Sequence, residues 1–376
     1  MTIESPLRTA RPILSLPASP SLKRAAILAL TAACLAPRLD AAAAPLTPAQ
    51  LAAQQRAAER AAQRAAQQAA LEAAMEARRQ ALEAYRKEAE ARGANAVAMA
   101  QTASILLLDT ELGTVGQRQG ELRAMPDKGG LWVRGTGSTY KVETANARPF
   151  DQDASAISVG GDYAWNLDTA KVYLGAFVGL SESRQDAEFN TRGKIDSRYA
   201  GIYLSYVDDN GLYVDVVNKV GRIDQDVRFD LPLDRGTYND DVSHTTYSGS
   251  VEVGYHWRLA DGWFVEPQLQ GIYSRSSQTS IEGRAGLRAG RDFSLAGGGT
   301  VQPYARVSYL KQFSHDDTVG FGDSTYDVAL PGNRWQLGGG VAVETGRHRA
   351  FVDLQYGTGS SVSQEVTANI GYTFRF

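Results

Sequence analysis

Residues 251–270 read VEVGYHWRLADGWFVEPQLQ, two alternating runs joined by a tight turn. Val251, Val253 and Tyr255 alternate with Glu252 and Gly254. After LADG at 259–262, Val265, Pro267 and Leu269 alternate with Glu266, Gln268 and Gln270. Strand side chains point alternately to the two faces, so each run has one apolar and one polar face. Asp-Gly between two such runs is short-hairpin chemistry. A hairpin like this fits a soluble sandwich, apolar side inward. It also fits a membrane barrel, apolar side to lipid and polar side to a wet lumen. The rest of the chain chooses between them.

The period of two runs from Gly129 to the end. Ile157, Val159, Tyr163 and Trp165 alternate with Ser158, Gly160, Asp162 and Ala164, and Val301, Ala305, Val307 and Tyr309 with Gln302, Tyr304, Arg306 and Ser308. The chain stops in mid-alternation: Ala368, Ile370, Tyr372, Phe374 and Phe376 share one face, and Asn369, Gly371, Thr373 and Arg375 the other. About twelve such strands fit, most near the ~9–11 residues that cross a tilted barrel wall. Tight turns (NLDTA, DDNG, LADG, LAGGG, ETGRHR) alternate with longer polar stretches at 142–153, 184–197, 226–243, 314–332 and 357–364, with a shorter one at 276–284. Short turns on one side and longer loops on the other are the asymmetry of an outer-membrane barrel. Trp165, Tyr206, Tyr255, Trp263 and Tyr273, near strand ends, form an interfacial girdle. The expected fold is therefore all-β, a transmembrane antiparallel barrel over residues 129–376, in contact with outer-membrane lipid.

The totals agree only because alternation dilutes apolar residues. A 43% apolar fraction alone reads as an ordinary globular chain, and a net charge of -3 gives no reason to invoke nucleic acid. No uninterrupted apolar run approaches the ~20 residues of a membrane-spanning helix. Near the start, Lys23 and Arg24 precede an apolar core from Ala25 to Ala36 and an A-x-A site at Ala41–Ala43. Residues 1–43 are thus expected to be a signal peptide for Sec export, leaving Ala44 first. The n-region is long for such a signal, which leaves the true start codon open. A lipoprotein reading at Cys34 is weak, since the leucine sits one place too far away. Cys34 is the single cysteine, and removal of the signal leaves a chain without disulfides or cysteine-bound metal.

Residues 45–92 are rich in Ala, Gln, Glu and Arg, with Thr47-Pro48 as a helix start and Gly93 as a stop. Leu51, Leu71, Met75, Leu82 and Tyr85 hold no heptad register, which favours a solvated single helix over a coiled coil. Residues 94–124 form a second, more apolar helical segment with glycines at 113, 116 and 120. Read from its residues alone, it is a surface helix packed on the strand-rich segment after it.

The ordered set GELRAMPDKGGLWVRGTG (120–137), GLYVDVV (211–217), residues 251–270, VQPYARVSYLKQF (301–313) and the terminal GYTFRF resembles the translocator of pertactin-like autotransporters, from Gly120 to Phe376. The resemblance implies a monomeric barrel plugged by a helix that leads to an exported passenger. It implies that the strand ending at Phe376 is read by the barrel-assembly machinery. It places the protein in a Gram-negative outer membrane, with residues 44–93 as a short passenger at the cell surface and 94–128 as the pore-spanning helix and linker. Two features depart from the family: the connection at 276–284 is short, and no long β-solenoid passenger is present.

GANAVA at 93–98 looks like the Asn-Ala junction that some members cleave inside the barrel. There the Asn95 amide would attack its own backbone carbonyl, close a succinimide and release Ala96 as a new terminus. A rigid, shielded geometry and a carboxylate that activates the amide are required. Strand parity puts Asp215 and Glu252 on the lumen face, with Glu266 third, so these are the candidate acids for a single-turnover self-cleavage. The structural alternative is that Asn95 is a cap neighbour of Gly93 and the acids line a pore. Arg134, Arg306 and Glu344 are expected to form solvated lumen networks that hold the plug. His244, His256, His315 and His348 share no metal-ligand spacing, SHDD at 314–317 reads as a hydrated loop, and no nucleophile or phosphate-loop motif occurs. No cofactor and no metal is expected. The rival functions are a surface adhesin and an outer-membrane barrel enzyme of protease type.

Overall fold

The structure, a computed structural model, describes residues 47–123, 129–144, 148–314, 317–321 and 324–376. The signal-peptide reading of 1–43 with Cys34, the linker at 124–128 and His315 lie outside the described residues. Among the described residues one α-helix, α1 (Pro48–Leu122), precedes twelve long strands. In order these are β1 (Gly129–Val142), β2 (Phe150–Asn166), β3 (Ala170–Ala187), β4 (Thr191–Asp208), β5 (Leu212–Asp230), β6 (Thr237–Tyr255), β7 (Trp263–Arg275), β8 (Thr279–Arg291), β9 (Thr300–Gln312), β10 (Arg334–Thr345), β11 (His348–Gly359) and β12 (Val362–Arg375). Each pairs antiparallel with its sequence neighbour. The last returns to the first, with Val133 opposite Tyr372, so the sheet closes on itself. Closure removes the unpaired edge that a flat sheet would carry. Two-residue strands at Trp257–Arg258 and Phe293–Ser294 extend two turns, and Asp317–Phe321 with Ser324–Val328 forms a separate hairpin between β9 and β10.

The outward face explains the alternation read from the sequence. Leu131, Ile157, Ile202, Val251, Leu269, Leu337, Leu354 and Ile370 are all more than half exposed. A belt of that extent around a closed sheet is a lipid-facing surface, because soluble monomers rarely expose contiguous apolar patches beyond a few hundred Å². Trp165 and Trp263 lie exposed near the short-turn end, as the girdle required.

Two expectations are corrected. Strands β2–β6 run to 17–19 residues, well past the expected length, while β7–β11 have 12–13. Consequently most of 184–197 and 226–243 is strand, and only 188–190 and 231–236 remain as connections. Their outward side chains, among them Arg184, Asp186, Arg192 and Lys194, are charged and exposed. A ladder that continues beyond the lipid band no longer needs an apolar face, so its composition reads as loop while its hydrogen bonds persist.

The helix is the second correction. The chain divides into two compact units, the second beginning at Ala77. In the first, the described helical residues are almost all exposed. In the second, α1 runs through Gly93 without a break, and both Gly93 and Ala94 are buried. An interior glycine costs a helix only ~1 kcal/mol, which the burial beyond it outweighs. Nor does 94–122 lie on a surface: Ile105, Leu106, Leu107 and Leu108 are fully buried inside the barrel.

Candidate functional site: the helix in the barrel lumen

The helix meets the wall at three levels. At the long-strand end an apolar collar surrounds it, in which Met99, Ile105, Leu106 and Leu108 pack with Tyr140, Phe150, Ile195, Ile223, Leu330 and Val362. Wall side chains there also bond the helix backbone: the Gln225 amide donates to Ala100 O at 2.8 Å and Gln152 to Ala103 O at 3.1 Å. Just before the collar, Arg92 donates to Asp230 O at 2.9 Å, and Arg92 and Arg148 each lie 4.1 Å from the Phe189 ring.

The middle level is ionic. Glu111 is fully buried, pairs with Lys219 of β5 and accepts a 2.6 Å bond from Ser181 of β3. Asp109 accepts from Arg334 of β10 at 2.7 Å, and Arg334 also binds Glu282 of β8. Charges so deep are tolerated only when paired. Here every pair joins the helix to the wall or one strand to another.

At the short-turn end the helix terminates in its densest charge cluster. Arg118 forks onto both carboxylate oxygens of Asp162 at 2.7 Å, the bidentate geometry that suits a guanidinium. Glu121 accepts from Arg134 at 2.6 Å and from Thr373 at 3.2 Å. Arg123 lies over the Tyr213 ring at 3.4 Å and pairs with Asp215, Glu252 and Glu266 together. Arg284 and Arg288 bind the outer oxygens of Glu252 and Glu266 at 2.9 and 3.2 Å. Between these levels an aromatic face formed by Trp132, Tyr173, Phe177, Tyr199 and Tyr203 packs on Leu112, Val115 and Leu122. It needs glycine in the wall. A Cβ at Gly175 would come within 2.2 Å of the Tyr203 ring, and one at Gly179 within 2.3 Å of Tyr199.

Strand parity is correct: Asp215, Glu252 and Glu266 all face inward and are buried. The fold nevertheless does not bring Asp215 or Glu252 to Asn95. Both acids are held by Arg123, separated from Asn95 by nearly the whole buried helix, on the order of 40 Å at ~1.5 Å per residue. The Asn95 amide nitrogen donates to Ala91 O at 2.7 Å, and its oxygen accepts from the Arg148 backbone N–H at 2.9 Å. Ala96 is fully buried within the same helix. Of the three pore-network residues, Arg134 grips the helix through Glu121, while Arg306 bonds Asp353 at 2.6 Å and Glu344 binds Arg349 and Arg375 within the wall. The sequence reading missed Asp109, Glu111, Arg118 and Arg123. Their signal was available, since charges interrupting an apolar helix demand partners.

Comparison with known proteins gives the same outline. The family model for the autotransporter beta-domain matches residues 131–357. The BrkA autotransporter of Bordetella pertussis is 30% identical over 298 residues, which cover 75% of this chain and 29% of that protein. The pertactin autotransporter of Bordetella bronchiseptica is 30% identical over 284 residues, covering 70% of this chain and 31% of that protein. The chain thus spans under a third of the length of these curated relatives. Among solved structures, the β-domain of the Bordetella autotransporter BrkA superposes with a TM-score of 0.57 at 28% identity, over 66% of this chain and all of that one. The translocator domain of NalP from Neisseria meningitidis has a TM-score of 0.56 at 15% identity, over 74% and 97%, a likeness of fold.

Proposed function

This chain belongs to the autotransporter β-domain family as a pertactin-like translocator of the Gram-negative outer membrane, and from that premise we propose that it carries residues 44–93 to the cell surface and keeps them attached. The route begins with Sec export directed by residues 1–43. It continues with insertion by the barrel-assembly machinery through the strand ending at Phe376, and ends with residues 94–128 threaded through the finished pore.

The observation that carries retention is the three-level fastening of the helix. Release would leave the wall acids at Arg123 and Asp162 buried beside fewer cations, and it would strip the collar of its apolar centre. A cut between Asn95 and Ala96 has little support from local chemistry. The Asn95 amide is engaged by Ala91 and by Arg148, and the acids foreseen as its activators serve another residue. Intact-mass measurement of the outer-membrane species tests the reading. The expected terminus is Ala44, with no fragment beginning at Ala96. An Ala96 terminus that disappears in Asn95→Asp would replace retention with self-cleavage.

A further inference from the structure

The lipid-facing belt ends differently from strand to strand. On β4 the outward positions Leu204, Ile202 and Ala200 lead to Arg198, and on β5 Val214, Val216, Asn218 and Val220 lead to Arg222. On the neighbouring strands β2, β3 and β6 the outward residue that follows the belt is Ser155, Glu182 and Thr245 respectively. The register sets Leu180, Arg198, Arg222 and Thr245 in one row, with Tyr247 one step nearer the belt, opposite Val220. An exposed aromatic ring at the end of an apolar belt marks the interface, where lipid headgroups lie. The short turns of an outer-membrane barrel face the periplasm, so the headgroups at this long-strand end are those of the outer leaflet.

Arg198 and Arg222 stand directly opposite each other on adjacent strands. Like charges so placed repel, and an anion between them relieves the repulsion. The protein supplies one carboxylate for the two. Asp224, in the next row outward, accepts from Arg198 Nη2 at 3.1 Å, while Arg222 Nε stands 3.6 Å from it, beyond hydrogen-bond reach. The two arginine side chains are 72% and 64% exposed, so their remaining N–H groups are open to a ligand from outside the barrel. An ion pair this exposed contributes little, and Asp224 therefore does not reserve the guanidiniums against a stronger acceptor. A phosphate is such an acceptor, since it takes two parallel bonds from a planar guanidinium.

We propose that Arg198 and Arg222 bind a phosphate group of the phosphorylated glycolipid of the outer leaflet, whose acyl chains lie along the exposed Leu180, Ile202 and Val220. The height of the wall favours a glycolipid over a phospholipid. Beyond the arginine row, β3–β5 carry Glu182, Asp196 and Asp224 in register, and then Arg184, Lys194 and Asp226. Each row adds ~7 Å along the strand, two residues at ~3.3 Å. A glycerophosphate headgroup spans about one row, whereas a phosphorylated saccharide stands along several and offers them hydroxyl as well as phosphate groups. The site continues the lipid-facing surface, and it is independent of whether the helix is retained.

The full chain, folded and freed of lipid in detergent, is titrated with an acylated diglucosamine carrying two phosphates, and bound lipid is counted by native mass spectrometry. Parallel titrations use the same glycolipid without its phosphates and phosphatidylglycerol. One tightly held bisphosphorylated glycolipid is expected in the wild type, with at least a fivefold loss of affinity in Arg198→Gln/Arg222→Gln. The control Arg258→Gln/Arg347→Gln removes the same charge from exposed positions at the short-turn end and should bind as the wild type does. Heat-modifiable gel migration verifies that each variant is folded. Undiminished binding in Arg198→Gln/Arg222→Gln, an equal loss in the control, or equal affinity for the dephosphorylated glycolipid overturns the site. Equal affinity for phosphatidylglycerol overturns its assignment to a glycolipid.

Discussion

Arg123 carries more of the short-turn end than any other side chain, because three buried carboxylates from three different strands meet on it. Without that cation Asp215, Glu252 and Glu266 would confront one another with only Arg284, Arg288 and His256 beside them. Breaking one partner out of a buried ionic group typically costs ~3–5 kcal/mol. Arg123→Met is therefore expected to lower the temperature at which the folded band converts to the unfolded one on gels. An unchanged conversion temperature would mean the cluster is hydrated rather than buried. Gly116→Ala should move the other way. Its methyl group meets nothing within 4 Å and an interior helical glycine is disfavoured by ~1 kcal/mol, so conversion should need equal or higher temperature. Loss of the folded band in this conservative change would contradict the open space beside Gly116. Asn95 marks the limit of residue-level reading. A local Gly-Ala-Asn-Ala string can flag a chemistry, but it cannot say which acid will be near.

At the level of elements, both corrected expectations share a physical origin. Gly93 looks like a stop because a glycine lowers local helix propensity, yet the helix continues, since residues beyond it are enclosed by collar and wall. The extensions of β3–β6 look like loops because their apolar period vanishes, yet antiparallel pairing carries them on, Arg192 opposite Arg228 and Asp226 opposite Asp241. In each case long-range partners override a local propensity. The helix also makes a functional prediction. Deleting residues 94–123 removes the plug but no wall strand, so the barrel should still show heat-modifiable migration, and its conductance in planar bilayers should rise several-fold. Equal conductance with and without the segment would mean that it does not occlude the pore.

For the whole molecule the decisive event is closure of β12 on β1. Thirteen paired positions run from Gly130 opposite Arg375 to Val142 opposite Val362, and the Phe376 N–H reaches Gly129 O beyond them. Phe376 is itself half exposed on the outward, apolar side of the seam. Phe376→Asp puts a charge at the end of that face, which sits beside lipid and which the proposed assembly route also requires to be read. Assembled protein in the outer membrane is expected to fall, while Arg375→Lys, on the lumen side, should have a smaller effect. Normal levels of the Phe376 variant would remove the terminal residue from the assembly signal.

The amino-acid sequence by itself determined the wall. Its period of two assigns each strand residue from Gly129 onward to lipid or lumen, because alternation is a local consequence of backbone geometry and survives any arrangement of the strands. That is why Asp215, Glu252 and Glu266 were legible as lumen acids, and why the resemblance to pertactin-like translocators rested on ordered strand motifs. The interior was decided only by the tertiary structure. Which acid meets which base depends on how deep the helix sits and how it is rotated, and on closure that brings β12 to β1. Contacts such as Arg123 with Glu252, Asp109 with Arg334 and Thr373 with Glu121 join residues more than a hundred positions apart. No local pattern encodes such meetings; they arise when a helical segment is packed inside a closed ring, and each charge takes the partner that this packing leaves within reach.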